Sequence, residues 1–186
     1  MAPIRVLVVE DEQIVAEDLR LLLHSIGYTV TGTAASGEEA VRLAREMTPD
    51  VIMMDISLGG SMDGTEAAAK IAEFHDAPVI YLTAFADAAI IERAKVTRPY
   101  GYIIKPYQER EIRTAIEIAL YTHSLHRKIA ESEERYRGFV QNFLGIAYRR
   151  RADASPEFFQ GAVESISGYT EPELLAGTPA WEDLVH

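Results

Sequence analysis

The sequence predicts an α/β protein built on a parallel sheet with helices on both faces, and three observations carry that prediction. Ile4 to Val9, Val51 to Met54 and Pro78 to Leu82 are almost unbroken apolar runs of strand length, the pattern of strands buried on both faces. The segments between them place apolar residues at helical spacing, an alternation of strand and helix that specifies right-handed crossovers and a parallel sheet. Each run also ends on polar residues, Glu10-Asp11-Glu12, Asp55 and Thr83, and the carboxyl ends of strands are where open α/β sheets place their chemistry.

Taken in order, Ile4 to Val9 is the first strand. From Gln13 the residues Ile14, Val15, Leu19, Leu22, Leu23 and Ile26 recur at helical spacing, and Gly27 stands where a closing glycine would. Tyr28 to Ala34 alternates as a short second strand, Ser36 can cap a helix from Gly37 to Met47, and Pro49-Asp50 turns the chain into the central strand that ends at Asp55. A glycine-rich loop from Ser57 to Gly64 leads to an amphipathic helix from Thr65 to Phe74. Pro78 to Leu82 is the fourth strand, a helix is expected from about Asp87 to Val96, and Gly101 to Ile104 is a fifth strand ending in Lys105-Pro106.

Composition narrows the function. The chain has 186 residues, 48% of them hydrophobic, enough for one domain or one and a half with a real core. No apolar stretch reaches the roughly 18 residues of a membrane span. Met-Ala-Pro running straight into a strand is no signal peptide, so a cytoplasmic location is expected. With no cysteine there are no disulfides, thiolate metal sites or cysteine nucleophiles, and any metal must use oxygen or imidazole. A net charge of -11 argues against a nucleic-acid surface. The expected partners are proteins and a hard cation.

Five strand ends sharing one edge bring together Glu10, Asp11, Asp55, Thr83 and Lys105. Three carboxylates in one place repel unless a cation sits among them. Oxygen ligands alone favour Mg²⁺, which keeps waters and phosphate oxygens in its octahedral shell. The expected site therefore holds a phosphoryl group.

Glu10-Asp11 after the first strand, Asp55 after the third, Thr83-Ala84 after the fourth and Lys105-Pro106 after the fifth resemble the receiver domain of two-component response regulators, over about residues 4 to 121. The resemblance implies a flavodoxin-like, doubly wound five-stranded sheet in the order 2-1-3-4-5. It implies that Asp55 is the nucleophile and phosphorylation site, charged by a histidine kinase or phosphotransfer protein through a phosphohistidine. Asp11 and Asp55, with the main-chain carbonyl of Ser57, would ligate Mg²⁺, and Glu10 would reach the metal directly or through water. Metal and Lys105 would neutralise charge on the transferring group. Thr83 would hydrogen-bond a phosphoryl oxygen and couple its movement to the switch aromatic Tyr102. Ala84 would leave room beside the phosphoryl group, Ser57 and Phe85 would tune the access of water with Phe85 as a shield, and the Lys105-Pro106 bond would be cis, aiming the amine.

Beyond this region a helical pattern runs from Gln108 through Ile112, Ile116, Leu120, Leu125 and Ile129, uninterrupted by glycine or proline before Gly138. A helix of about thirty residues, some 45 Å long, reads as a connector. Ile118, Tyr121, Leu125, Ile129, Ser132, Tyr136, Phe139 and Phe143 step by three or four, a stripe suited to a parallel homodimer, with one slip from strict heptads. Glu131 to Arg137 and Gly161 to Leu175 resemble the opening of a PAS sensor domain, with strands at Gly145 to Arg151 and Glu157 to Gln160. The expected division is therefore a receiver at 1–121, a signalling helix at 122–137 and a partial α+β PAS domain at 138–186. The context implied is a larger hybrid or histidine-kinase-type protein of which this chain is a fragment, its half-built sheet unstable unless paired. His123, His126 and His186 show no converging metal spacing and read as surface residues.

Two rival functions fit the sequence less well. A Mg²⁺-dependent phosphatase of the haloacid dehalogenase type also forms an aspartyl phosphate, but such enzymes resemble one another in a second Asp two residues after the nucleophile, where this chain has Ser57. A flavodoxin-like cofactor binder needs hydroxyl and amide donors after the first strand, where Glu10-Asp11-Glu12 would repel a phosphate.

Overall fold

The computed structural model describes residues 3–84, 99–153 and 155–184. The chain divides into two compact units, Met1–His126 and Arg127–His186. The first is a five-stranded parallel sheet in the order β2-β1-β3-β4-β5, formed by β1 (Arg5–Val9), β2 (Thr29–Ala34), β3 (Val51–Asp55), β4 (Val79–Thr83) and β5 (Gly101–Ile104). Helices α1 (Gln13–Ser25), α2 (Gly37–Met47) and α3 (Gly64–Ala72) connect the first four strands, and α4 (Glu109–Asn142) follows β5. The helix expected at 87–96, like Phe85, lies outside the described residues.

Two cores sandwich the sheet because successive strand residues face opposite ways. Leu7, Val9, Ile52, Met54 and Tyr81 point to one face and pack against Ala40, Leu43, Ala67 and Ile71 of α2 and α3. Val6, Val8, Val51, Met53, Ile80 and Leu82 point to the other, against Leu19 and Leu23 of α1 and Ile112, Ile116 and Ala119 of α4. Every residue of β3 is buried, which is why its sequence shows no alternation.

Local signals fix the helix ends. Gly27 adopts φ 91° just after α1, a conformation that favours glycine. The Ser36 hydroxyl accepts the Glu39 amide at 3.2 Å to start α2. Helix α3 begins at Gly64 rather than Thr65 because Asp63 forms a capping box with Glu66. It ends at Ala72 rather than Phe74, where the Phe74 and His75 amides both turn back to the Ile71 carbonyl.

Side chains brace the amino-terminal edge of the sheet, away from the acidic strand ends. The Arg5 guanidinium donates to the Met47 carbonyl and, at 3.0 Å, to that of Thr48, while the Arg5 amide donates to Asp50 Oδ2 at 2.8 Å. His75 Nε2 meets the Pro49 carbonyl at 2.8 Å. His123 Nε2 lies 2.9 Å from Asp76 Oδ1, with the Tyr100 ring edge-on to the imidazole.

Helix α4 runs for 34 residues. It passes through Gly138 instead of stopping before it, because one glycine in a helix interior costs only about 1 kcal/mol. Asn142 Nδ2 donates to the Gly138 carbonyl at 2.8 Å in the last turn. Ile118, Tyr121, Ile129, Tyr136 and Phe139 are all more than half exposed along the helix. No helix among the described residues is long and apolar enough to cross a membrane.

In the second unit, β6 (Ile146–Arg150) pairs antiparallel with β7 (Pro156–Gly161), followed by short helices α5 (Val163–Ser167), α6 (Glu171–Leu175) and α7 (Trp181–Leu184). Phe159, Val163 and Leu174 form its small core, covered by Ile146, Trp181 and Leu184. The Tyr136 hydroxyl donates to Gln160 Oε1 at 2.5 Å.

Candidate functional site

The carboxyl ends of β1, β3 and β5 deliver the acids and the lysine to one place. Glu10 follows β1, its amide held by the Ala34 carbonyl of β2 at 2.9 Å. Asp55 is the last residue of β3. Lys105 follows β5, and its amide donates to the Thr83 carbonyl at 2.8 Å. Glu10, Asp11 and Asp55 each offer a carboxylate oxygen within 4.8 Å of the others.

Lys105 is held between two of these acids. Its Nζ donates to Glu10 Oε2 and to Asp55 Oδ2, each at 2.5 Å. The Glu10 side chain is 0% exposed and that of Lys105 18%. Two further oxygens accept main-chain amides: Ser57 N donates to Asp55 Oδ1 at 2.8 Å and Gly59 N to Asp11 Oδ2 at 3.0 Å.

Burial pushes the Glu10 carboxyl above the usual range, opposed by its hydrogen bond to Lys105 and reinforced by the neighbouring Asp55 charge. Burial draws Lys105 down, but hydrogen bonds to Asp55 and Glu10 outweigh it and hold the amine above its ordinary value. The lysine is therefore an ammonium at neutral pH. One ammonium faces three carboxylates, and a divalent ion is the counter-charge that such an oxygen-only set accepts.

The other expected residues fall around this centre. Thr83 is buried at the end of β4, its Cα opposite that of Ile104. Ser57 and Ala84 are exposed in the loops after β3 and β4, and Pro106 is exposed after a cis Lys105-Pro106 bond. Tyr102 is half-buried on β5, its ring centroid 5.9 Å from that of Tyr81.

Three further residues shape the site without having stood out in the sequence, and a fourth, Tyr81, lies in the core behind it. Gly59 supplies the amide on Asp11. Gly64 packs so closely that a Cβ there would lie 1.9 Å from the Asp55 carbonyl oxygen, and its own amide donates to the Ile56 carbonyl at 3.1 Å. Tyr107 is half-buried beside the lysine and acids, its hydroxyl pushed up by burial. Tyr81 is fully buried behind Tyr102. The Asp63-Gly64 pair carried the one usable signal, and it read as ordinary loop chemistry.

The profile of the response regulator receiver domain matches residues 6–117. The transcriptional regulatory protein PdtaR of Mycobacterium tuberculosis is 34% identical over 164 residues, covering 85% of this chain and 80% of PdtaR. The signal receiver domain of a modulated diguanylate cyclase from Desulfovibrio desulfuricans superposes with a TM-score of 0.64 at 40% identity, covering 67% of this chain and 98% of that one. The N-terminal domain of a response regulator/sensory box/GGDEF protein from Carboxydothermus hydrogenoformans gives a TM-score of 0.61 at 36% identity, covering 66% and 98%.

Proposed function

The chain belongs to the response regulator receiver family, and from that premise we propose that Asp55 accepts a phosphoryl group from the phosphohistidine of a histidine kinase or phosphotransfer protein. The observation that carries this reading is the contact of Lys105 Nζ with Asp55 Oδ2 inside a cluster completed by Glu10 and Asp11. An Asp55 oxygen forms the new P–O bond as the donor's P–N bond breaks, and the imidazole leaves with the electron pair and takes up a proton. Lys105 balances charge on the transferring group. Asp11, Asp55 and the Ser57 carbonyl would hold Mg²⁺, with Glu10 beside it, and the ion supplies further charge neutralisation on the phosphoryl oxygens. Thr83 then bonds a phosphoryl oxygen, and Tyr102 follows its movement.

Incubation with acetyl phosphate and Mg²⁺ should add one phosphoryl group by intact mass, and Asp55→Asn should abolish it. A persisting mass shift in Asp55→Asn would place the site elsewhere.

Residues 1–121, 122–137 and 138–186 serve, in this reading, as receiver, signalling helix and partial PAS domain. A relative of the first part occurs in a protein described as joining a response regulator to a sensory box, and the exposed stripe on α4 supports pairing of two copies. Lone helices lose stability without packing of such a stripe. Parallel pairing from Ile118 through Ile129 to Tyr136 would let phosphorylation alter how two receivers feed two helices. Light scattering should show a dimer, weakened by Ile129→Asp far more than by Lys128→Asp. A monomer at tens of micromolar, a concentration equivalent to roughly 6 kcal/mol of association, would defeat the pairing and leave the receiver assignment intact.

A further inference from the structure

We propose that Tyr81 is a positioning residue for the switch, the fixed wall against which the Tyr102 ring sets; this rests on the reading of Thr83 and Tyr102 given above. Tyr81 and Tyr102 are direct partners across the β4–β5 pairing, as Thr83 and Ile104 are one step further on. Residues two apart on a strand share a face. Tyr81, Thr83 and Tyr102 therefore stand on one side of the sheet, with Tyr102 beside Tyr81 and diagonal to Thr83.

The two rings differ in freedom. Tyr81 is 0% exposed within the core that includes Met54, Ala68 and Ile71, and a close-packed interior leaves a ring of that size one position. Tyr102 is only partly buried and packs against that core from its rim. Their centroids lie 5.9 Å apart with the planes tilted by 32°, inside the spacing of favourable aromatic pairs. Of the two rings only that of Tyr102 is partly exposed, and the Tyr81 ring bounds its inner side. When Thr83 is drawn toward a phosphoryl group on Asp55, the space it vacates lies next to this pair. The Tyr81 ring thus sets how far inward Tyr102 settles, and removing it should uncouple Tyr102 from Thr83 without touching the acids.

The test uses the full chain labelled with fluorotyrosine, with the Tyr102 resonance assigned by its loss in Tyr102→Phe. Adding acetyl phosphate and Mg²⁺ should shift that resonance in the parent. Tyr81→Phe, which keeps the ring, should preserve the shift. Tyr81→Leu should take up the phosphoryl group at the parent rate and lose the shift. A parent-like shift in Tyr81→Leu would reduce Tyr81 to core filling and overturn the proposal, and loss of the shift in Tyr81→Phe would overturn its assignment to the ring. If melting shows that Tyr81→Leu fails to fold, Tyr81→Met, whose flexible chain fills irregular gaps, is read by the same criteria. A parent that labels at Asp55 without any movement of Tyr102 would remove the switch and this proposal together. A parent that does not label at all would remove the phosphoacceptor reading itself.

Discussion

Replacing Gly64 by Ala should damage both the fold and the proposed phosphoacceptor, Asp55. The new Cβ would lie 1.9 Å from the Asp55 carbonyl oxygen, 2.9 Å from its carbonyl carbon and 3.1 Å from the Ile56 Cα. All three are backbone atoms of the central strand and its exit, so no flexible side chain can swing aside. The first turn of α3 must retreat by about 1 Å, straining the Gly64–Ile56 hydrogen bond. Overpacking costs about 1–3 kcal/mol, and rigid neighbours place this case near 3 kcal/mol, a large share of a total near 5–15 kcal/mol. For a unit of this size the melting temperature should fall by roughly 10 °C. Circular dichroism during urea unfolding would follow the sheet, while fluorescence of the sole tryptophan, Trp181, follows the second unit separately. Acetyl phosphate labelling should slow about a hundredfold, the usual consequence of a misplacement near 1 Å. Gly138→Ala is the contrast: its Cβ meets nothing within 4 Å, and it should stabilise α4 by up to about 1 kcal/mol. Parent-like melting and labelling in Gly64→Ala would refute the reasoning.

Three other outcomes are expected. Asp11→Ala should weaken Mg²⁺ binding strongly in calorimetry, and an unchanged affinity would move the metal site elsewhere. Thr83→Ala should still take up the phosphoryl group while losing the phosphorylation-dependent change in hydrogen exchange; identical exchange changes in variant and parent would contradict its role. Because the Glu10 carboxyl is raised in the fold, its contribution is complete below the ordinary glutamate pKa of about 4.3 and is lost as pH rises through the higher folded value. In chelator, then, the urea midpoint of the parent should lose more between pH 4 and pH 7 than that of Glu10→Gln, and parallel profiles would contradict the assignment.

The alternation of strand and helix was legible because buried parallel strands write themselves as apolar runs, and the runs at Val51 and Ile4 end on the acids that the fold gathers. The order of the strands was not: nothing in the residues of β1 says that β2 and β3 lie on its two sides, and that order came from resemblance alone. Helix ends were readable where a cap announced them, as at Ser36, and misread by a residue or two where the capping box at Asp63 starts α3 early. Main-chain donors were invisible, since the amide on Asp11 belongs to Gly59, 48 residues away, and any residue but proline could supply it. Gly64 looked like loop flexibility, although its value lies in the missing Cβ. Tyr81 read as one more apolar strand residue because its importance depends on the register that puts Tyr102 opposite.

The braces at the amino-terminal edge give the sheet unequal stiffness along its strands. Arg5 closes the end of α2, and His75 ties the end of α3 to Pro49. At that border neighbouring segments are joined by side chains as well as by the strand ladder. A displacement that begins at Asp55 therefore meets resistance growing with depth. Sliding is opposed at β1 and at the segment leading into β3 by the braces there. What remains is bending of strand tips and of the loops beyond them, which returns to rest when the load is removed. For a sheet held at this border, a load applied at Asp55 falls on the strand tips and the loops beyond them.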